Sequence, residues 1–335
     1  MVARLLAPGE PVALVNYPNV DNPGDSAIWL GTRAALARRG VRVTFECEPG
    51  AYRRRLLART IGENGTILLQ GGGNLGDLYR KPGQQQAVRV KVLRDFPRAR
   101  VIQLPQTLWF EREARAERFA ALCRAHENLT LLLRDGASIE RASVLGLRAE
   151  PCPDMAFALG RLDRPRPAEV PVVWIARRER ERRHDLPSPA DLTPGVEARD
   201  WPTAREQRRG EAGWALRADI AVLHRLTGAM GRSAGMDRAL LRAARSRHSA
   251  LARRRMALAT EILARGRAVI TDRFHGHVLA TLMGIPNVLL DNSYGKNRAV
   301  FESWSRALPG VEFADDPAEA QERALALAGP ASMSA

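Results

Sequence analysis

Short apolar runs alternate with stretches of helical spacing throughout the first 155 residues, and no other feature restricts the fold as strongly. "VALVN" (12–16), "VRVTFE" (41–46), "TILLQ" (66–70), "RVIQLP" (100–105) and "LTLLLR" (129–134) read as strands. Between them "SAIWLGTRAALARRG", "QQQAVRVKVLRDF", "EREARAERFAALCRA" and "GASIERASVLG" carry helical spacing. Asp25 is expected to cap the first helix and Gly40 to stop it. Strands that alternate with helices imply a parallel sheet covered on both faces, which makes this half a Rossmann-like α/β domain.

The alternation resumes at "PVVWIA" (171–176) and continues through "RADIAVLHRLTGAM", a basic helical stretch near 236–265, "RAVIT" (267–271), "HVLATLMG" and "IPNVLLDN". A chain of 335 residues exceeds what one hydrophobic core usually serves. The expected architecture is therefore two Rossmann-like domains facing a cleft, with the first spanning 1–165 and the second 166–325. The polar, Pro-rich stretch near 177–215 has no clear period and is expected to be a flexible insertion. Sheets of this class bind ligands beyond the carboxyl ends of their strands, so polar clusters that follow a strand carry the functional reading.

The net charge of +15 raises nucleic acid as a partner. Only three of the 52 basic residues are lysine, however, and the arginines are dispersed without aromatic interleaving. Nucleic-acid binding is not expected, while weak attraction to an anionic membrane surface is compatible with the charge. Three cysteines without a CxxC spacing argue against a disulfide framework or zinc knuckle and for a reducing, cytoplasmic setting. No signal-peptide pattern and no run of 18 apolar residues occurs.

Several clusters follow strands. In "NYPNVDNPGDSAI", Asn22 and Asp25 are turn, capping or ligand candidates. "LLQGGGNLGDLY" reads as a glycine-rich strand-to-helix turn: Gly72 and Gly73 permit close approach, and Asn74 and Asp77 offer hydrogen bonds. It has neither the GxGxxG spacing of dinucleotide folds nor a P-loop ending. Arg134 leaves an otherwise apolar strand, either to pair with a carboxylate such as Asp135 or to aim a guanidinium fork at an anion. Asp154 in "PCPDMAFALG" is read as orienting a neighbouring loop. In "ITDRFHGHVLATLMGIPNVLLDNSYGKN", Arg273, His275 and Lys296 flank a buried strand and a helix stopped by Gly284. His275 at that helix N-terminus is the candidate general acid or base. The HxH formed with His277 lacks carboxylate support, so no metal is expected, and His277 is assigned to the helix surface.

Taken in order, "NVDNPGDSAI", "GGGNLGD", "PQT", "LRD" and "TDRFHGHVLATLMGIPNVLLDNSYGKN" resemble the polysaccharide pyruvyl transferase family. The resemblance covers nearly the whole chain and is weakest across 177–235. It implies a GT-B-like fold and transfer of the pyruvyl group of phosphoenolpyruvate to a sugar as a ketal, in the making of cell-surface polysaccharide. It also implies donor-binding roles for Arg134 and Lys296 and a functional role for His275; Arg273 is added because it shares that element. Phosphoenolpyruvate is then a substrate, no cofactor is needed, and the partner is a glycan acceptor, lipid-linked or free. Two other readings stay open: a GT-B glycosyltransferase using a nucleotide sugar, and a non-catalytic glycan- or nucleic-acid-binding protein.

Overall fold

The computed structural model describes residues 2–18, 20–78, 85–178, 183, 188–203, 218, 221–222, 225 and 234–330. The first half contributes strands β1 (Pro11–Val15), β2 (Arg42–Cys47), β3 (Thr66–Leu69), β4 (Gly72–Gly76), β5 (Arg100–Trp109), β6 (Leu129–Leu133) and β7 (Glu150–Pro151). Its helices are α1 (Pro23–Arg38), α2 (Arg54–Ile61), α3 (Gln85–Asp95), α4 (Glu113–Arg124) and α5 (Gly136–Val144). The second half contributes β8 (Val170–Ile175), β9 (Val196–Arg199), β10 (Gly266–Thr271), β11 (Asn287–Leu290) and β12 (Val311–Ala314). Its helices are α6 (Ala234–Ala264), α7 (Phe274–Leu282), α8 (Lys296–Val300) and α9 (Pro317–Ala328).

These strands build two sheets, ordered β2-β1-β3-β5-β6-β7 and β12-β11-β10-β8-β9, with β4 also lying along β5. Every pairing is parallel. The reason is visible in the strands themselves: β3 is buried at every residue, as are the last four residues of β1 and β8. Such strands need helices on both faces. The two sheets share apolar packing. Val12, Leu14 and Trp29 of the first half lie in one buried cluster with Val173, Ile175, Val269 and Phe274 of the second, joined by Ala252, Ala259 and Leu263 of α6.

Two local expectations change. The cap of α1 is Asn22, whose side chain accepts a hydrogen bond from the Gly24 N–H at 3.0 Å. Pro23 takes the first helical position, where its missing N–H costs nothing. Asp25 therefore sits inside the first turn, while Gly40, at φ 71°, follows the helix end as expected. The glycine-rich segment is not a strand-to-helix turn. It resumes the line of β3 as β4, Leu69 pairing with Gln103 and Gly72 with Gln106 of the same strand β5. Gln side chains bridge the break. Gln103 Nε2 donates to the Leu69 and Gln70 carbonyls at 3.1 Å each, and Gln106 Nε2 donates to the Gln70 carbonyl at 3.0 Å.

Within 177–215, β9 closes one edge of the second sheet by pairing with β8 from Val172↔Val196 to Ile175↔Arg199. Residues 179–182, 184–187 and 204–215 of that stretch lie outside the described residues, as does most of "RADIAVLHRLTGAM". Among the described residues, no helix is long and apolar enough to cross a membrane.

Candidate active site

Arg134 follows directly on β6, and its guanidinium is buried to 1 % exposure. Nη1 meets Asp154 Oδ2 at 2.5 Å, and Nε donates to Thr107 Oγ1 at 2.9 Å. Nη2 faces the glycine-rich strand: a Cβ placed on Gly73 would lie 2.9 Å from it and 3.8 Å from Lys296 Nζ. The absence of a side chain at Gly73 is thus what lets the Arg134 fork and the Lys296 ammonium approach one point from opposite halves of the chain. Asp135 does not take the pairing role. It caps α5 by accepting from the Ser138 N–H at 2.7 Å, and it also accepts from Thr107 Oγ1 at 3.0 Å.

His275 enters from the first turn of α7, whose N-cap residue Arg273 makes no side-chain cap. Its Nε2 lies 3.6 Å from Asp154 Oδ2, within ion-pair range but beyond a hydrogen bond. Asp154 therefore stands between Arg134 and His275. Burial pushes its carboxyl up, but the neighbouring His275 and Arg134 and the Ala156 N–H outweigh that and hold it well below the usual carboxylate range. Asp25 has the opposite balance. Burial raises its carboxyl above the ordinary value despite the lowering influence of His275, Arg134 and Lys296. Two carboxyls beside one imidazole are thus driven apart, one held ionised and the other biased toward its protonated form.

The first turns of α1 and α7 meet at this point, since a Cβ on Gly24 would lie 2.4 Å from His275 Nδ1. Two helix N-termini bring partial positive charge to the same place as Lys296. Gly24→Ala is accordingly expected to displace the imidazole and to lower turnover about a hundredfold, the scale of a misplaced catalytic group. Steady-state rates alongside far-UV circular dichroism check this.

The other sequence candidates divide. Lys296 opens α8, its N–H held by Asn292 Oδ1 at 2.8 Å and its ammonium 5.2 Å from the Tyr294 ring centre. Tyr294 packs on Trp109 across the two halves at 5.1 Å. Asn74 adjoins Gly73 but is engaged by Gln85, Gln106 and Arg89. Gly72 faces Asp25, whose Oδ1 is 3.8 Å from the Cβ position. Asp77 is drawn away, accepting from the Glu111 N–H at 2.7 Å and pairing with Arg115 at 3.2 Å. Asn22 is the helix cap described above. Arg273 holds Asp200 in a bidentate pair, at 2.6 and 2.9 Å.

His277 is buried, not on the helix surface. Its ring nitrogens lie 2.7 Å from Asn287 Oδ1 and 2.8 Å from Ser305 Oγ, so both are occupied within the second half. Burial lowers its pKa to about 4 from an ordinary 6.5. The unfolded chain then binds more protons than the folded one between those values, and stability is lost as pH falls from 6.5 through 4. The contribution is about 3 kcal/mol. Urea titrations at pH 7 and pH 4.5 are expected to show this loss, and His277→Asn to reduce it.

Asp154, expected to orient a neighbouring loop, lies against Arg134 and His275, and Arg89, Gln70, Gln103, Gln106 and Thr107, not singled out as site candidates, are all buried. The available signal was polar residues inside apolar strands, in "LLQ" and "IQLPQT", and an arginine on the same helical face as Val88, Val92 and Leu93.

A two-sheet α/β chain that gathers Arg134, His275, Lys296 and two carboxyls at the junction of its halves has the charge pattern of a site for a small anionic substrate. The family model of polysaccharide pyruvyl transferases matches residues 22–294, and the chain belongs to that family. It is 30% identical over 314 residues to Pyruvyl transferase 1 of Schizosaccharomyces pombe (strain 972 / ATCC 24843), covering 88% of this chain and 69% of the relative. It is 28% identical over 302 residues to EpsO of Bacillus subtilis (strain 168), whose name assigns it provisionally to the pyruvyl transferases, covering 90% and 87%. A solved structure, the uncharacterized protein KP1_0663 from Klebsiella pneumoniae, shares the fold with a TM-score of 0.56 at 17% identity, covering 94% of this chain and 95% of that one.

Proposed function

We infer that this protein transfers the pyruvyl group of phosphoenolpyruvate onto two hydroxyls of one sugar, forming a ketal during the synthesis of a cell-surface polysaccharide. The observation that carries this reading is the meeting of Arg134 and Lys296 over Gly73, beside His275 and Asp25. Phosphoenolpyruvate is small and carries phosphate and carboxylate together. A planar fork and a compact ammonium suit those two groups.

In this reading His275 or Asp25 delivers a proton to the methylene carbon of the donor, leaving an oxocarbenium-like centre. One sugar hydroxyl adds to that centre and gives up its proton. The carbon–phosphate oxygen bond breaks, the second hydroxyl closes the ketal, and its proton leaves with phosphate. Lys296 and the two helix N-termini stabilise the departing phosphate. Asp25, whose carboxyl burial biases toward its protonated form, is a second candidate to exchange protons with acceptor hydroxyls. The division into domains 1–165 and 166–325 around a GT-B-like cleft belongs to the same reading.

The test is a calorimetric titration of the wild-type protein with phosphoenolpyruvate and, separately, with UDP, followed by phosphate release in the presence of glycan acceptors. Micromolar binding of phosphoenolpyruvate, about −8 kcal/mol, with acceptor-dependent phosphate release is expected. Binding of UDP alone would replace this reading with a nucleotide-sugar glycosyltransferase.

A further inference from the structure

Arg89 lies on α3 with 1 % exposure, and among the described residues it has no carboxylate within ion-pair distance. Its partners among the described residues are all neutral oxygens. Nε donates to Gln103 Oε1 at 2.9 Å, and Nη1 donates to the Asn74 carbonyl at 3.1 Å and Gln86 Oε1 at 3.2 Å. Nη2 donates to Asn74 Oδ1 at 2.6 Å, Gln85 Oε1 at 3.4 Å and the Gln70 carbonyl at 3.5 Å. Burial lowers its pKa to about 9, which leaves it charged at neutral pH. A buried cation with only amide and carbonyl partners is costly, and a fold that needed only stability there has cheaper choices.

The partners say what the charge is for. Gln70 and Asn74 bracket the glycine step between β3 and β4, and Gln103 and Gln106 tie that step to β5. Asn74 receives Arg89 at both its carbonyl and its side chain, and the next residue back is Gly73, which faces Arg134 Nη2 and Lys296 Nζ. We propose that Arg89 is a positioning residue: its guanidinium fixes Gly73 and Asn74 from behind, so that the backbone of β4 forms one wall of the anion site. A lysine keeps the charge but lacks the fork that reaches both atoms of Asn74. The proposal rests on the donor reading above for its effect on catalysis, but not for its effect on β4.

The experiment therefore has two arms on Arg89→Lys, Arg89→Gln and, as a milder change at the same contact, Asn74→Ala. Hydrogen exchange without ligand is expected to speed up at least tenfold across residues 72–76 while α7 stays as in wild type. Unchanged exchange in folded variants overturns the proposal, whatever the ligand is. The second arm is titration with phosphoenolpyruvate, where affinity is expected to fall at least tenfold in all three variants. Combined with Arg134→Lys, the losses are expected to be smaller than additive, since both changes act on one wall. Full additivity would assign Arg89 a merely structural role and overturn the proposal. A wild-type protein that binds no phosphoenolpyruvate would remove the donor reading alone, because the exchange arm still decides whether Arg89 holds β4.

Discussion

Arg134→Ala is expected to eliminate measurable phosphoenolpyruvate binding and to destabilise the protein at the same time. The two effects have one origin. Arg134 meets Asp154 at 2.5 Å with both side chains almost wholly buried, so truncation leaves a carboxylate in the interior beside the His275 imidazole, 3.6 Å away. Removing one partner of a buried ion pair costs roughly 3–5 kcal/mol. If the donor binds as proposed, loss of the guanidinium whose Nη2 faces Gly73 also removes a charged contact to it, again about 2–5 kcal/mol, or some thirtyfold to several thousandfold in affinity. Because a variant this destabilised can lose binding simply by unfolding, Arg134→Lys is the informative companion. It keeps a cation beside Asp154 while losing the planar fork. Calorimetry and urea denaturation on both variants decide the point: a folded Arg134→Lys protein with wild-type affinity would remove Arg134 from the donor site.

His275→Asn should separate chemistry from binding. The imidazole is partly accessible, touches the first turn of α1 and lies 3.6 Å from Asp154. A positioned acid or base contributes about 10²–10⁴ in rate. Turnover is expected to fall by that factor while donor affinity changes by less than about threefold, since loss of a general acid leaves ground-state contacts in place. A rise in KM with unchanged kcat would instead make His275 an anchor for the donor and shift the proton-transfer role to Asp25. The fold should survive, because the ion-paired Arg134 remains to hold Asp154.

Much of the site could be read along the chain because three of its members are local contradictions. Arg134 terminates an apolar strand, His275 opens an apolar helix, and Lys296 is one of three lysines in a chain of arginines. A charge in such a setting is either paired or used. What could not be read was which charges are paired. Arg273 and Arg134 have equivalent settings at strand ends, yet one closes on Asp200 from a different stretch of chain and the other shares Asp154 with the histidine. Asp77 and Asp25 each follow a strand in a Gly-Asp step, but Arg115 and the Glu111 N–H take up the first, and only the second faces His275.

The sequence by itself determined the alternation of strand and helix, the parallel sense of both sheets and the stops at Gly40 and Gly284, because these follow from the periodicity of burial and from local backbone freedom. The tertiary structure alone decided the rest. β4 continues β3 because two glutamines of β5 replace the missing ladder bonds, and His277 is buried because Asn287 and Ser305 satisfy its ring. The common reason is that hydrogen bonds and ion pairs between residues tens to hundreds of positions apart leave no periodic trace in the sequence, whereas burial of an apolar face does.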